Sequence, residues 1–167
     1  MEGLHELKGL MLHAPRLTLA VAESVTCGRL QARVGEISGA SEFFLGGITA
    51  YTLDEKVRHL GVDRAGASAC DCVSAEVAAQ MARGAAALFG ADLALATTGY
   101  AEPAPERGAL TPMAFWALAW RGESSALNTR TGKIVCLGAA RMAAQTMIAD
   151  AAHAELLAHL RATRRNL

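Results

Sequence analysis

The sequence predicts an α/β fold: a three-layer α/β/α sandwich with a mainly parallel sheet, formed by a single domain over residues 1–167. Short apolar segments alternate along the chain with segments of helical periodicity, and this alternation is typical of a parallel sheet covered on both faces. The length of 167 residues suits one hydrophobic core better than two. Hydrophobic residues make up 52% of the chain, and its many alanines favour close packing of helices.

The first part of the chain contains two predicted strands, each followed by a helix. The first strand is continuous in apolar character, as parallel strands buried on both faces tend to be. The second is apolar and β-prone, and Gly46-Gly47 within it suggests a bulge or a close backbone approach. Glycine and proline mark the ends of the helices. In chain order, the pattern predicts a helix over Leu4–Met11 that ends before Pro15, a strand over Thr18–Ala22, a helix from Gly28 to about Ser38, a strand over Phe43–Tyr51 and a short helix over Asp54–Leu60.

The second part begins with the clearest helix signals of the sequence. Ser74 is placed to cap a helix whose first turn contains Glu76, and Gly90 is placed to end it. The segment from Gly99 to Thr111 contains two prolines and is the longest predicted loop. The remaining predicted elements are strands over Leu93–Thr97, Phe115–Trp120 and, more weakly, Lys133–Leu137, and a long helix over Ala139–Thr163.

Composition excludes several classes of function. The formal net charge is zero, which gives no electrostatic reason to expect a nucleic acid or an anionic membrane as partner. No apolar stretch reaches the roughly 20 residues that span a bilayer, and the charged N-terminus does not resemble a signal peptide. We therefore expect a cytoplasmic protein with a small-molecule substrate. The four cysteines lack the spacing of a zinc site, so no metal is expected.

Polar residues follow each of the first three predicted strands. These segments are Glu23–Gly28 after the first strand, Ala50–Thr52 with Lys56 after the second, and Thr97–Gly99 after the third. In α/β folds, ligands bind beyond the carboxyl ends of the strands. The three segments are therefore expected to meet at one edge of the sheet and to form the functional site.

Ser24 has two possible roles at this edge. It can be a nucleophile whose hydroxyl is free, with backbone N–H groups at the following helix start stabilising an oxyanion and a desolvated Lys56 taking its proton. Alternatively, Ser24 and Thr26 cap that helix and Lys56 is a solvated surface residue, since serine at a helix start is usually a cap. The segments contain no histidine, so a Ser–His–Asp triad has little support.

Several motifs, in one order from about residue 5 to 160, resemble the CinA C-terminal domain family, which includes stand-alone nicotinamide-nucleotide amidases. The family signature resembles Ala-Glu-Ser-Cys-Thr-Gly-Gly, which this chain has as Ala-Glu-Ser-Val-Thr-Cys-Gly at Ala22–Gly28. The other matching segments are Gly39–Phe44, Gly47–Tyr51, Glu55–Val57, Leu60–Val62, Val73–Val77 and Thr98-Gly99 followed by Ala101.

The resemblance implies hydrolysis of the carboxamide of nicotinamide mononucleotide to a carboxylate, with release of ammonia. It implies Ser24 as nucleophile, Lys56 as general base, and the Tyr51 hydroxyl as a third member of the catalytic set. It requires no metal or organic cofactor, and it makes a homodimer plausible. The substrate-binding residues expected on this basis are Glu23, Thr26, Cys27, Gly28, Thr98, Gly99 and Arg141.

Two departures from the family pattern bear on the substrate. Cys27 stands where the family has glycine, and its side chain would crowd backbone that can approach a ligand. The family's glycine-rich loop contains Glu102 and Glu106 here, which place negative charge where a phosphate would bind. Either a phosphate binds through Arg107 or Arg141, or the substrate is another amide. A non-catalytic nucleotide-binding or sensing domain of the same fold is the remaining alternative.

Overall fold

In the part of the chain that the structure describes, five strands form one mixed sheet in the order β2-β1-β3-β4-β5. The computed structural model describes residues 2–122 and 126–164. The strands are β1 (Leu19–Glu23), β2 (Phe44–Thr49), β3 (Leu93–Tyr100), β4 (Met113–Arg121) and β5 (Leu127–Val135). The three-layer α/β fold predicted from the sequence is confirmed.

The sheet is parallel on one side and antiparallel on the other. β1 pairs in parallel with β2 and with β3, whereas β4 runs antiparallel to both β3 and β5. The prediction of a mainly parallel sheet therefore holds for two of the four strand pairs. β4 and β5 each run antiparallel to the strand before them because of the connections that precede them, since a crossover between parallel strands usually needs a helix. No α-helix separates β3 from β4, and only five residues of the chain lie between the end of β4 and the start of β5.

Six α-helices cover the sheet within residues 2–122 and 126–164. They are α1 (Glu2–Leu12), α2 (Arg29–Gly35), α3 (Leu53–Leu60), α4 (Arg64–Ala69), α5 (Ala75–Phe89) and α6 (Arg141–Arg164). The sequence pattern did not predict α4, which is short. Its N-cap residue is Asp63, whose carboxylate accepts a hydrogen bond from Gly66 N–H at 2.7 Å. Within the described residues, no helix combines the length and apolar character needed to cross a membrane.

The two faces of the sheet bury side chains of different size. Alternate strand positions send small residues such as Ala20 and Ala22 toward α5, and large ones such as Leu19 and Val21 toward α1 and α6. The small face lets α5 lie close to the sheet. A further close contact joins α5 to α3, because a Cβ added to Gly84 would overlap the backbone carbonyl of Leu60.

The register of the parallel strands aligns their carboxyl ends. Glu23, the last residue of β1, lies opposite Thr49 of β2 and Thr97 of β3. The next residues, Ser24, Ala50 and Thr98, therefore come together at one edge of the sheet.

Candidate active site

The turn after β1 fixes the position of Ser24. Its N–H donates to Thr97 O at 3.1 Å, which continues the pairing with β3 by one residue. The Thr26 and Thr97 hydroxyls are hydrogen-bonded at 2.8 Å in the interior, and Gln145 Nε2 donates to Val25 O at 2.9 Å. The Ser24 backbone is thus held from both β3 and α6.

Glu23 caps α2. Its buried carboxylate accepts hydrogen bonds from the N–H groups of Gly28, Leu30 and Gln31, at 3.0, 3.1 and 2.8 Å. The interpretation of Ser24 as a helix cap is therefore wrong, because Gly28 is the N-cap residue and a neighbouring carboxylate supplies the cap.

The same contacts correct the expected oxyanion donors. The N–H groups at the start of α2 are not available to an oxyanion, because the carboxylate of Glu23 already binds them. The N–H groups of Val25 and Thr26 have no acceptor within the described part of the chain. These two donors follow Ser24 directly in the chain, and Val25 is one of the residues that line the cavity described below.

Lys56 is buried against Ser24. α3 begins at Leu53, after the cap residue Thr52, and Lys56 lies in its first turn with only 1% of its surface exposed. Its Nζ lies 2.9 Å from Ser24 Oγ, 2.9 Å from Ala50 O and 2.9 Å from Tyr51 O. The alternative in which Lys56 is solvated is therefore wrong.

The surroundings of Lys56 make its amine easier to deprotonate than that of a solvated lysine. Desolvation by burial lowers the pKa of Lys56, although attraction to Cys72 and Asp71 opposes the change. A neutral amine has two N–H donors and one lone pair. Two of the three neighbours of Nζ are carbonyl oxygens that can accept only, and the third is a hydroxyl that can donate. The arrangement therefore suits an amine that accepts the Ser24 proton.

A cavity of about 580 Å³ opens at this edge of the sheet, a size typical of small-molecule sites. Of the predicted site residues, Ser24, Tyr51, Lys56, Thr98, Gly99 and Arg141 line it. Tyr51 is 51% exposed, and its hydroxyl accepts a hydrogen bond from Arg141 at 3.0 Å. Thr98 Oγ1 donates to Cys72 O at 2.7 Å, so this hydroxyl orients the cavity wall.

The other predicted binding residues lie outside the cavity lining: Glu23, Thr26, Cys27 and Gly28. Glu23 and Thr26 are buried and support the turn, as described above. Cys27 is exposed in a left-handed conformation with φ of 48°, and Gly28 follows with φ of 92°. A role for these four residues in substrate binding stays a prediction.

Sequence reasoning missed one wall of the cavity. Asp71, Cys72 and Tyr100 line it, and the first two follow α4 with φ of 53° and 61°. The Tyr100 hydroxyl donates to Asp71 Oδ2 at 3.0 Å, and burial together with this hydrogen bond raises the pKa of Tyr100 to about 12. Aspartate tolerates the left-handed region better than most residues, which is the one local signal for this turn. The proximity of Asp71 to Lys56 depends on a tertiary contact, which a local sequence signal does not reveal.

Among the residues that the structure describes, no group of three or more histidine, cysteine or acidic side chains could hold a metal ion. The fold and the site define an α/β domain with a buried serine–lysine pair at the carboxyl ends of its parallel strands. Residues 1–160 match the model of the CinA C-terminal domain, so the chain belongs to this family.

Relatives and solved structures agree with this assignment. A CinA-like protein of Chlorobium limicola is 46% identical over 105 residues, which cover 63% of this chain and 24% of the relative. A CinA-like protein of Picosynechococcus is 42% identical over 112 residues, or 67% of this chain and 26% of the relative. These alignments thus span about a quarter of the length of the curated relatives.

Two crystal structures have the same fold over nearly their whole length. A competence or damage-inducible protein from Enterobacter asburiae has a TM-score of 0.85 at 27% identity, covering 95% of this chain and 96% of the other. A competence damage-inducible protein A from Klebsiella pneumoniae has a TM-score of 0.86 at 26% identity, covering 98% of both chains. The cytoplasmic location, the homodimer and the absence of nucleic-acid and membrane partners stay predictions.

Proposed function

We propose that this chain is an amidohydrolase in which Ser24 is the nucleophile and Lys56 the general base. The observation that carries the proposal is the 2.9 Å separation of Ser24 Oγ from the buried Lys56 Nζ. This distance lies within the reach required for direct proton transfer. Burial lowers the pKa of Lys56, which makes a proton acceptor available nearer neutral pH than a solvated lysine would be.

In the first half of the reaction, Ser24 Oγ attacks the carboxamide carbon while its proton moves to Lys56 Nζ. A tetrahedral intermediate forms, with negative charge on the former carbonyl oxygen. The carbon–nitrogen bond then breaks, and the departing nitrogen takes the proton from Lys56 and leaves as ammonia. The product of this half is an ester between Ser24 and the acyl group.

In the second half, water attacks the ester and gives a proton to Lys56. The bond to Ser24 Oγ breaks, Oγ regains a proton from Lys56, and the acid product loses its remaining proton to solvent and leaves as a carboxylate. The Val25 N–H group, which belongs to a residue lining the cavity and has no acceptor among the described residues, is the proposed donor to the oxyanion in both halves. Tyr51 is proposed to orient Lys56 through its backbone carbonyl, at 2.9 Å, and to bound the cavity with its ring.

Family resemblance places nicotinamide mononucleotide first among the substrates to try, with its unphosphorylated riboside beside it. The test is ammonia release by purified wild type, Ser24→Ala and Lys56→Met. We expect Ser24→Ala to lose activity about a thousandfold or more and Lys56→Met about a hundredfold or more. Matched controls are Ser41→Ala, exposed in a separate turn, and Lys8→Met on α1, and both should keep the wild-type rate.

The proposal fails if neither amide releases ammonia, or if Ser24→Ala retains the wild-type rate. A thermal-shift measurement on the same two compounds then identifies the alternative. Stabilisation without ammonia release would indicate a binding or sensing domain, and no response to either compound would indicate a different ligand.

A further inference from the structure

The charged groups that line the cavity are already paired. Its two cationic side chains are Lys56 and Arg141, and its two acidic ones are Asp71 and Glu102. Lys56 Nζ is surrounded by Ser24 and two carbonyl oxygens. Arg141 donates one terminal nitrogen to Glu102 Oε2 at 2.8 Å and the other to the Tyr51 hydroxyl at 3.0 Å.

Arg107, the other residue considered for a phosphate, is also occupied. Its Nε lies 3.6 Å from Asp71 Oδ2, and it does not line this cavity. Each arginine that the sequence offered as a phosphate ligand therefore faces a carboxylate. A substrate phosphate would have to displace Glu102 from Arg141 and would then remain near that negative charge.

An amide without a phosphate meets no such repulsion. Asp71 and Glu102 both line the cavity, and their carboxylates complement a cationic pyridinium ring. Resting on the proposed function, we infer that this site selects an unphosphorylated pyridinium nucleoside carboxamide over its 5′-phosphate, and that Glu102 sets the preference. Glu102 acts here as a specificity residue that holds Arg141 and repels phosphate.

The test compares kcat/KM for nicotinamide riboside and nicotinamide mononucleotide, both measured by ammonia release. We expect wild type to prefer the riboside by about tenfold, the scale of one like-charge contact in a half-exposed site. Glu102→Gln keeps an acceptor oxygen for Arg141 and removes the negative charge. The kcat/KM for the phosphorylated substrate should therefore rise about tenfold, whereas the kcat/KM for the riboside should change less than about threefold. Glu106→Gln, on the same loop but outside the cavity lining, is the matched control and should leave the ratio unchanged.

The outcomes separate this inference from the proposed function. Faster hydrolysis of the phosphorylated amide by wild type would overturn the inference and leave the hydrolase intact. A riboside preference that Glu102→Gln does not alter would overturn the role of Glu102. Absence of ammonia from both substrates would instead refute the proposed function itself. Added salt should narrow the wild-type preference, because screening weakens the repulsion.

Discussion

The contact between α5 and α3 makes a sharp prediction for Gly84→Ala. The added methyl would overlap the Leu60 carbonyl, which is rigid backbone, so the two helices must separate. Because the overlapped atom is rigid backbone, the overpacking cost lies in the upper part of the usual range, at about 2–3 kcal/mol. Alanine recovers up to about 1 kcal/mol over glycine through helix propensity. The net loss is therefore about 1–2 kcal/mol, which lowers the melting temperature of a domain of this size by about 2–8 °C.

The matched control is Gly9→Ala. Gly9 lies inside α1, and a Cβ there would meet no atom within 4 Å, so the same substitution gains propensity without a clash. The melting temperature of the Gly9→Ala variant should therefore rise by about 1–4 °C above that of wild type. Thermal unfolding of both variants followed by circular dichroism provides the comparison. If Gly84→Ala melted at or above wild type, the close packing of α5 on α3 would be refuted. Because α3 carries Lys56, Gly84→Ala should also reduce ammonia release.

The remaining predictions concern pH and the turn. The charge of Asp71 raises the pKa of Lys56 and so opposes the lowering by desolvation; Asp71→Asn should therefore move the acid limb of the kcat/KM–pH profile to lower pH. The control variant Glu155→Gln, on α6, should leave the acid limb in place. A shift to higher pH in Asp71→Asn would contradict this assignment. Glu23→Gln weakens three charge-assisted hydrogen bonds to the start of α2 and should cost about 2–3 kcal/mol. An unchanged melting temperature in this variant would show that the carboxylate does not hold the turn.

Much of the fold follows from local sequence signals. Ser74 and Gly90 bound α5 as predicted, because capping chemistry and the left-handed glycine act within a few residues. The direction of β4 was harder to predict, because an apolar strand carries no mark of parallel or antiparallel pairing. The length and type of the preceding connection decide it, and the loop after Gly99 gave no reason to expect an antiparallel return.

The candidate site was likewise predictable from the sequence only in part. The sequence predicted that the segments after the first three strands meet at one edge of the sheet. The strand register and the cavity lining confirm this for Ser24, Tyr51, Lys56 and Thr98. Their protonation and pairing depend on tertiary contacts. The burial of Lys56 and the bond between Arg141 and Glu102, 39 residues apart, cannot be inferred from a local pattern.

The helix cap by Glu23 has a consequence for how variants of this family are interpreted. The residue that maintains the turn and the residue proposed to do the chemistry are neighbours in sequence, yet their tasks are separate. Ser24 contributes no cap, so its loss tests chemistry on an intact scaffold. Loss of activity in a Glu23 variant would not test the chemistry, because it would result from disruption of the turn that Glu23 holds. A mutational scan that ranks residues by activity alone would score both alike, and only a parallel measure of folding would separate the nucleophile from its support.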